Sequence, residues 1–290
     1  MSNFPYLAPF YALASAFLFA LSNHFSNMGL QNSDARSGTL VSIATSAIVY
    51  WFFAPFFLEA WYFFTQAAAL FAVVGIIRPA LSSALAISSI KIMGPTLTSS
   101  LTAATPIFGA LFAIGILGEK LTLPVAIGTA AVVAGAIVAA WNPQGMKRTW
   151  PLWAIALPLG ASLIRATGHI VTKIGLVEVP SASFAVFVGN TVSLVSGGIA
   201  FKWQQRPFSG TRESHLWFVA SGTANALSIQ FLNNALQVGD LVTVLPIVSA
   251  TPVFTMLMGF FYFGRETITR RTIATMALIV PGVILVATSH

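Results

Sequence analysis

The chain has 290 residues, 57% of them hydrophobic and only 7% charged, with a formal net charge of +7 and a mean hydropathy of +0.84. Soluble domains carry roughly 25% charged residues, so a water-facing surface is excluded and the chain belongs in lipid. There is no cysteine, which excludes a disulfide frame and a thiolate metal site. The basic excess lies in short stretches beside apolar segments, where Lys and Arg meet anionic headgroups, and no nucleic-acid partner is expected.

A membrane-crossing helix needs about 20 mostly apolar residues. Ten such segments follow one another: Pro5–Leu30, Ser37–Phe57, Tyr62–Ile90, Pro95–Leu117, Leu121–Trp141, Pro151–Leu176, Ser181–Phe201, His215–Leu236, Leu241–Phe263 and Thr272–Thr288. Helices are expected because every backbone amide in hydrocarbon must be bonded within its own segment. The longest polar connections are Asn142–Trp150 and Lys202–Ser214, and neither holds a further domain. Met1–Pro5 has no basic residue ahead of the first apolar run, so no cleavable leader is expected. The composition predicts a multi-pass protein of the inner (plasma) membrane.

The chain repeats itself. Thr105-Pro106 returns as Thr251-Pro252, and Gly135–Ala140 returns as Gly282–Ala287. The Gly118–Thr122 turn returns, loosened, as Gly264–Thr269, and Gly29-Leu30 and Ala80–Ser82 have counterparts in Gly175-Leu176 and Ala226–Ser228. Residues 1–146 and 147–290 are therefore two five-helix repeats. An odd number of spans makes the second half enter from the opposite side, so the predicted fold is all-α: ten transmembrane helices as two inverted repeats around a central cavity.

The twin Thr-Pro helices, the Gly-Glu-x-Leu-Thr turn at Gly118–Thr122 and the Gly-rich fifth span resemble the ten-span EamA-type family of the drug/metabolite transporter superfamily, including its YddG-like amino-acid exporters. In the second half the turn departs from that pattern, with Arg265 inserted before Glu266. The resemblance implies a secondary transporter that exports an amino acid or other small metabolite, and transport by alternating access is the expected mechanism. A multidrug or other metabolite exporter and a channel-like facilitator are the alternatives.

Arg78 and Arg165 fall near the middle of spans three and six. A guanidinium at mid-bilayer costs about 3–17 kcal/mol on contested scales, so it must face a wet cavity or a partner. Either each is a strut onto carbonyls freed near Pro79 and Pro158, or each meets the solute; the resemblance places spans three and six around the cavity and favours the second. Arg165, His169 and Lys173 form one i, i+4, i+8 stripe, with Phe19, Asn23 and Asn27 as its counterparts in the first half. His169 is read either as a protonation switch or as a neutral hydrogen-bonding group. Lys173 is expected to snorkel, and His24 to be interfacial.

Span eight holds Asn225, Ser228, Gln230, Asn233, Asn234 and Gln237, more polar groups than one helix contact requires. A polar cavity wall is expected, with Asn225 and Gln230 foremost. The candidate solute-binding set is thus Arg78, Arg165, His169, Asn225, Gln230 and Asn23. Pro106 and Pro252 are candidate hinges, since proline kinks a helix, though either is also explained as a static kink. Gly128, Gly135 and Gly282 are assigned to close helix packing, and the tryptophans at span ends to interfacial anchoring.

All seven acids lie at span ends or in connections. A cavity with two arginines and no acid repels cations, so an anionic, zwitterionic or carboxylate-bearing solute is expected. No paired-acid site, metal cluster or phosphate loop is visible, so neither catalysis, cofactor nor metal is expected. The partners expected are a small-molecule solute and the lipid bilayer, with a homodimer left open. The connections after odd-numbered spans carry most of the basic residues, against Lys120 and Lys173 on the other side. The positive-inside rule then places both termini outside the cytoplasm, whereas the resemblance implies cytoplasmic termini.

Overall fold

In the computed structural model, residues 6–93, 95–141, 150–203, 207–261 and 269–289 are described. They are helical throughout, with no strand among them: α1 Leu7–Gly29, α2 Ala35–Phe53, α3 Gln66–Ile77, α4 Ser83–Met93, α5 Pro95–Thr102, α6 Thr105–Leu117, α7 Leu123–Ala140, α8 Ala156–Glu178, α9 Ala182–Trp203, α10 Arg212–Val238, α11 Leu241–Val248, α12 Thr251–Phe261 and α13 Arg270–Ala287. The second-half turn at Gly264–Ile268, most of Asn142–Trp150, and the basic residues Lys147, Arg148, Arg206 and Arg265 lie outside the described residues.

Among the described residues, seven helical stretches are long and apolar enough to cross a membrane. Helices α1 and α10 are long but not among them. Part of their polarity has a physical reason, for it is spent between the two helices. Ser228 Oγ donates to Ser15 O (2.8 Å), Ser22 Oγ to Ser221 O (3.0 Å) and Ser221 Oγ to Ser22 O (3.0 Å). Small hydroxyl residues allow close approach and bond across helices in lipid. Ser82 Oγ donates to Ala161 O (3.3 Å), repeating the Ser228–Ser15 contact one repeat earlier.

Three expected spans are broken. Between α3 and α4 the chain makes one π-helical turn, Arg78–Ser82. Pro79 has no N–H to give the Gly75 carbonyl four residues back; Ser193 Oγ on α9 takes that carbonyl instead, at 2.8 Å. Helices α5 and α6 part at Ala103-Ala104, and α11 and α12 part at Ser249-Ala250. The repeated Thr-Pro pair explains both breaks. Pro106 leaves Thr102 O free, and Thr105 Oγ1 bonds it at 2.9 Å. Pro252 leaves Val248 O free, and Thr251 Oγ1 bonds it at 2.8 Å. The expected kinks within continuous helices are thus full interruptions, each proline standing second in the half-helix that follows.

Packing partners are exchanged between the halves. Helix α10 packs on α1 and α2 as α3 packs on α8 and α9; α6 packs on α8 as α12 packs on α1; α7 and α13 pack on each other, as do α2 and α9. Close approach is also duplicated: a Cβ on Gly75 would lie 2.6 Å from Gly189 O, and one on Gly222 would lie 2.4 Å from Ser42 O. At the α7–α13 contact the relation is reciprocal: a Cβ on Gly128 would lie 2.6 Å from Gly282 O, and one on Gly282 would lie 2.8 Å from Gly128 O. Gly282→Val is expected to cost about 1–3 kcal/mol of stability through backbone overpacking. Gly115→Ala, with nothing within 4 Å of the added carbon, should be neutral when thermal unfolding of both is followed in detergent.

One end is tied by carboxylates acting on helix N-termini. Gly118 adopts a left-handed conformation (φ 67°) that ends α6. The next residue, Glu119, reaches across to α11, accepting from Leu241 N (2.9 Å), Val242 N (3.0 Å) and Lys173 Nζ (2.6 Å). Glu178 accepts from Gln66 N (3.2 Å) and Ala67 N (2.7 Å) at the start of α3. These first-turn N–H groups have no intrahelical partner and carry the positive end of the helix dipole. At the other end Asp34 caps α2 through Ser37 N (2.7 Å), and that bond holds its carboxyl below the ordinary carboxylate range.

Candidate functional site

A cavity of about 1100 Å³ lies among the helices, lined by residues of α1, α2, α3, α5–α13 and the π turn. At one end its lining reaches exposed Ser99, Thr269 and Arg271; at the other it ends on buried Phe71, Ala185 and Leu232. It therefore opens on the side of the connections that follow odd-numbered spans. The Glu119 and Glu178 clasps lie at the closed end.

Both helix breaks face this space. Thr102, Ala103, Thr105 and Pro106 line it from the first half, and Val248, Ser249, Thr251 and Pro252 from the second. The lining is built in pairs 146 positions apart: Phe19 with Arg165, Asn23 with His169, Ser82 with Ser228, Pro106 with Pro252. The architecture is duplicated, but the charge is not. One wall presents Phe19 and Asn23 where the other presents Arg165 and His169.

Arg78 enters from the π turn. Its side chain lies across Gly168 of α8, where a Cβ would meet Arg78 Cδ at 2.7 Å and Cγ at 2.9 Å. Gly168 adjoins His169 and stands one turn from Arg165, so the three basic side chains share one region. Arg165 Nε donates to Ser82 Oγ at 3.1 Å. Among the described residues no hydrogen bond or ion pair holds the Arg78 guanidinium. No Asp or Glu is among the described lining residues.

Six of the candidate residues besides Arg165 and Arg78 can be placed directly. His169, Asn225 and Asn23 line the cavity, as do Pro106 and Pro252. Gln230 does not. Its Oε1 accepts from Tyr50 OH at 2.8 Å, and its Nε2 donates to Asn234 Oδ1 at 3.2 Å. Gln237 Nε2 donates to Pro180 O at 2.8 Å. Only half of the polar set on α10 therefore faces the cavity, namely Asn225, Ser228 and Asn233. Helical spacing carried that signal: 228, 229, 232 and 233 follow 225 at i+3, i+4, i+7 and i+8, whereas 230 points to the far side. Asn225→Ala is expected to raise the KM for solute severalfold, and Gln230→Ala to leave KM unchanged while lowering thermal stability, as measured by uptake and unfolding.

Lys173 does not snorkel; it is held by Glu119 and also donates to Gly239 O at 2.7 Å. Nor is His24 interfacial, being buried with Nε2 2.9 Å from Thr255 O. A residue not singled out beforehand is Asn190 on α9. It lines the cavity, is only 9% exposed, and its Nδ2 has no hydrogen-bond partner among the described residues. Its sequence signal was that it is the one amide side chain in α9.

Comparison with known proteins supplies the family. A search of curated proteins finds no match. A solved crystal structure superposes with a TM-score of 0.79, covering 98% of this chain and 99% of its own at 14% identity, a likeness that shows a shared fold. The model of the EamA-like transporter family matches twice, over residues 7–141 and 152–288. The chain belongs to the EamA-like transporter family, and is thus a multi-pass membrane protein that transports small solutes.

Proposed function

We propose that the protein is a ten-span secondary transporter, two inverted five-helix halves enclosing a central site, which exports an amino acid or other carboxylate-bearing solute by alternating access. The single observation that carries this reading is the Arg78 guanidinium, which faces the cavity beside Arg165 with no acid in the described lining. A planar guanidinium bonds both oxygens of a carboxylate. The interruptions in spans four and nine bring the N-termini of α6 and α12 to the cavity, and helix N-termini favour anions. Asn225, Asn190 and Asn23 supply hydrogen bonds to the rest of the solute, and the half-helices following Pro106 and Pro252 are the elements that move.

The open and closed ends of the cavity support one arrangement of an alternating-access cycle. The open end adjoins the connections rich in Lys and Arg, which the positive-inside rule assigns to the cytoplasm. The state described is then inward-open, both termini are external, and the Glu119–Lys173 clasp is the outer closure. A C-terminal reporter active only in the cytoplasm should therefore be silent; an active one would reverse the orientation.

Transport by purified protein in proteoliposomes tests the function. Uptake of labelled carboxylate-bearing solutes, with amino acids among them, is expected to saturate and to fall in Arg78 and Arg165 variants. Normal uptake in both variants would remove the site assignment, and unitary currents would replace a carrier with a channel.

A further inference from the structure

Two guanidinium groups in one site ask for more negative charge than a single carboxylate brings. We infer that the preferred solute of the Arg78–Arg165 site is a small organic dianion without an ammonium group, that is, a dicarboxylate or a phosphomonoester. The inference rests on the reading of this cavity as a transport site for an acidic solute: a dicarboxylate narrows that reading, and a phosphomonoester would put a phosphoryl group in the place of its carboxylate.

The charge inventory carries the argument. Arg78 and Arg165 remain cationic under all ordinary conditions. They share one wall with His169, and no Asp or Glu is among the described residues lining the cavity. Arg165 spends one N–H on Ser82 Oγ, which supplies no charge, and Arg78 has no partner among the described residues. While the cavity is open, water hydrates both groups. Closure over the solute removes that water and strengthens every remaining electrostatic term. A zwitterionic amino acid would leave two net positive charges enclosed and would add an ammonium beside them. Amide and hydroxyl oxygens could accept its N–H bonds, but none cancels its charge. A monoanion would leave one positive charge uncompensated. Only a dianion brings the closed site to neutrality, with one acidic oxygen pair for each guanidinium. The Nδ2 of buried Asn190, without a partner among the described residues, offers a further donor and no charge. The N-termini of α6 and α12 add positive potential at the same cavity.

The test uses the intact protein in detergent and two pairs of probes matched in shape but not in charge. Succinate is compared with its monoamide, and glycerol 3-phosphate with its methyl phosphodiester, at a pH where both dianions are fully ionised. Affinity is read by calorimetry and by shift of the unfolding temperature. At least one dianion is expected to bind about tenfold or more tightly than its monoanionic partner, the size of one charge-assisted contact. Phenylalanine and alanine should compete weakly. In Arg78→Met the charge preference should collapse toward unity, because the dianion loses more affinity than its monoanionic partner. Which pair responds distinguishes a dicarboxylate site from a phosphoryl site. Equal affinities within both pairs, or tighter binding of the zwitterions, would overturn the inference and leave the carboxylate reading standing. Failure of every probe, charged or zwitterionic, to bind would remove both.

Discussion

Arg78→Met should reduce transport of carboxylate-bearing solutes by about 10- to 100-fold, the weight of hydrogen bonds to a charged group, while leaving the fold as stable as before or more so. The two halves of this expectation separate a solute-facing arginine from a strut. The methionine stem replaces the Arg78 carbons that lie over Gly168, so packing is retained. A strut would hold its carbonyl or hydroxyl partners in place, and its loss would leave them unpaired and destabilise the protein. Arg78 has no such partner among the described residues, so its removal takes a poorly compensated charge out of the membrane interior. Transport kinetics and thermal unfolding of the same preparation report both halves. A large fall in unfolding temperature with normal transport would make Arg78 structural. Arg165→Met should show a mixed result, because its Nε already serves Ser82 Oγ.

Loss of Glu119 has the largest expected effect on stability. Its carboxylate is only 6% exposed and accepts three N–H bonds, from Lys173 Nζ and from the first amides of α11. Glu119→Ala leaves two helix N-terminal amides without their acceptor and leaves the largely buried Lys173 ammonium with only Gly239 O and the Asp240 carboxylate, 3.9 Å away. Breaking a buried ion pair costs about 3–5 kcal/mol, and a substantial fall in unfolding temperature is expected. The charge-swapped double variant Glu119→Lys with Lys173→Glu should not recover it. A simple ion pair would be restored by the swap, but the N-terminus of α11 needs an acceptor at position 119, and a lysine there faces the positive end of the dipole. Full rescue by the swap would reduce the clasp to its ion pair. Glu119→Gln, which keeps an acceptor, should lie between the wild type and the alanine variant. Because the clasp lies at the closed end of the cavity, the same variants should let solutes and thiol-free labels reach the site from that side.

Much of this architecture was readable from residue order alone. Apolar runs of membrane length marked the helices, and the Thr-Pro pairs marked where two of them break. The reason for the threonine became visible only in three dimensions: Thr105 and Thr251 bond the carbonyls that Pro106 and Pro252 release. Polar positions were harder to read, because a hydroxyl or amide in lipid serves a cavity or a neighbouring helix equally well by composition. Gln230 and Asn233 are alike as residues and differ only in the side of α10 they occupy, one meeting Tyr50 and the other the cavity. The roles of Lys173 and His24 depend on partners far along the chain, Glu119 and Thr255. No local pattern announces such pairings. Arg78 stands out in the sequence because an arginine at that depth must be accounted for, whereas Asn190, one amide among the serines and the threonine of α9, is a weaker anomaly.

The central claim is that Arg78 and Arg165 jointly hold the acidic part of the transported solute. Its most direct measurement is a structure of the protein saturated with a transported solute. The account predicts acidic oxygens of the solute within hydrogen-bonding distance of each of the two guanidinium groups, with Asn190 or Asn225 on the remainder. Solute bound elsewhere, with both arginines left in contact only with protein, would contradict it.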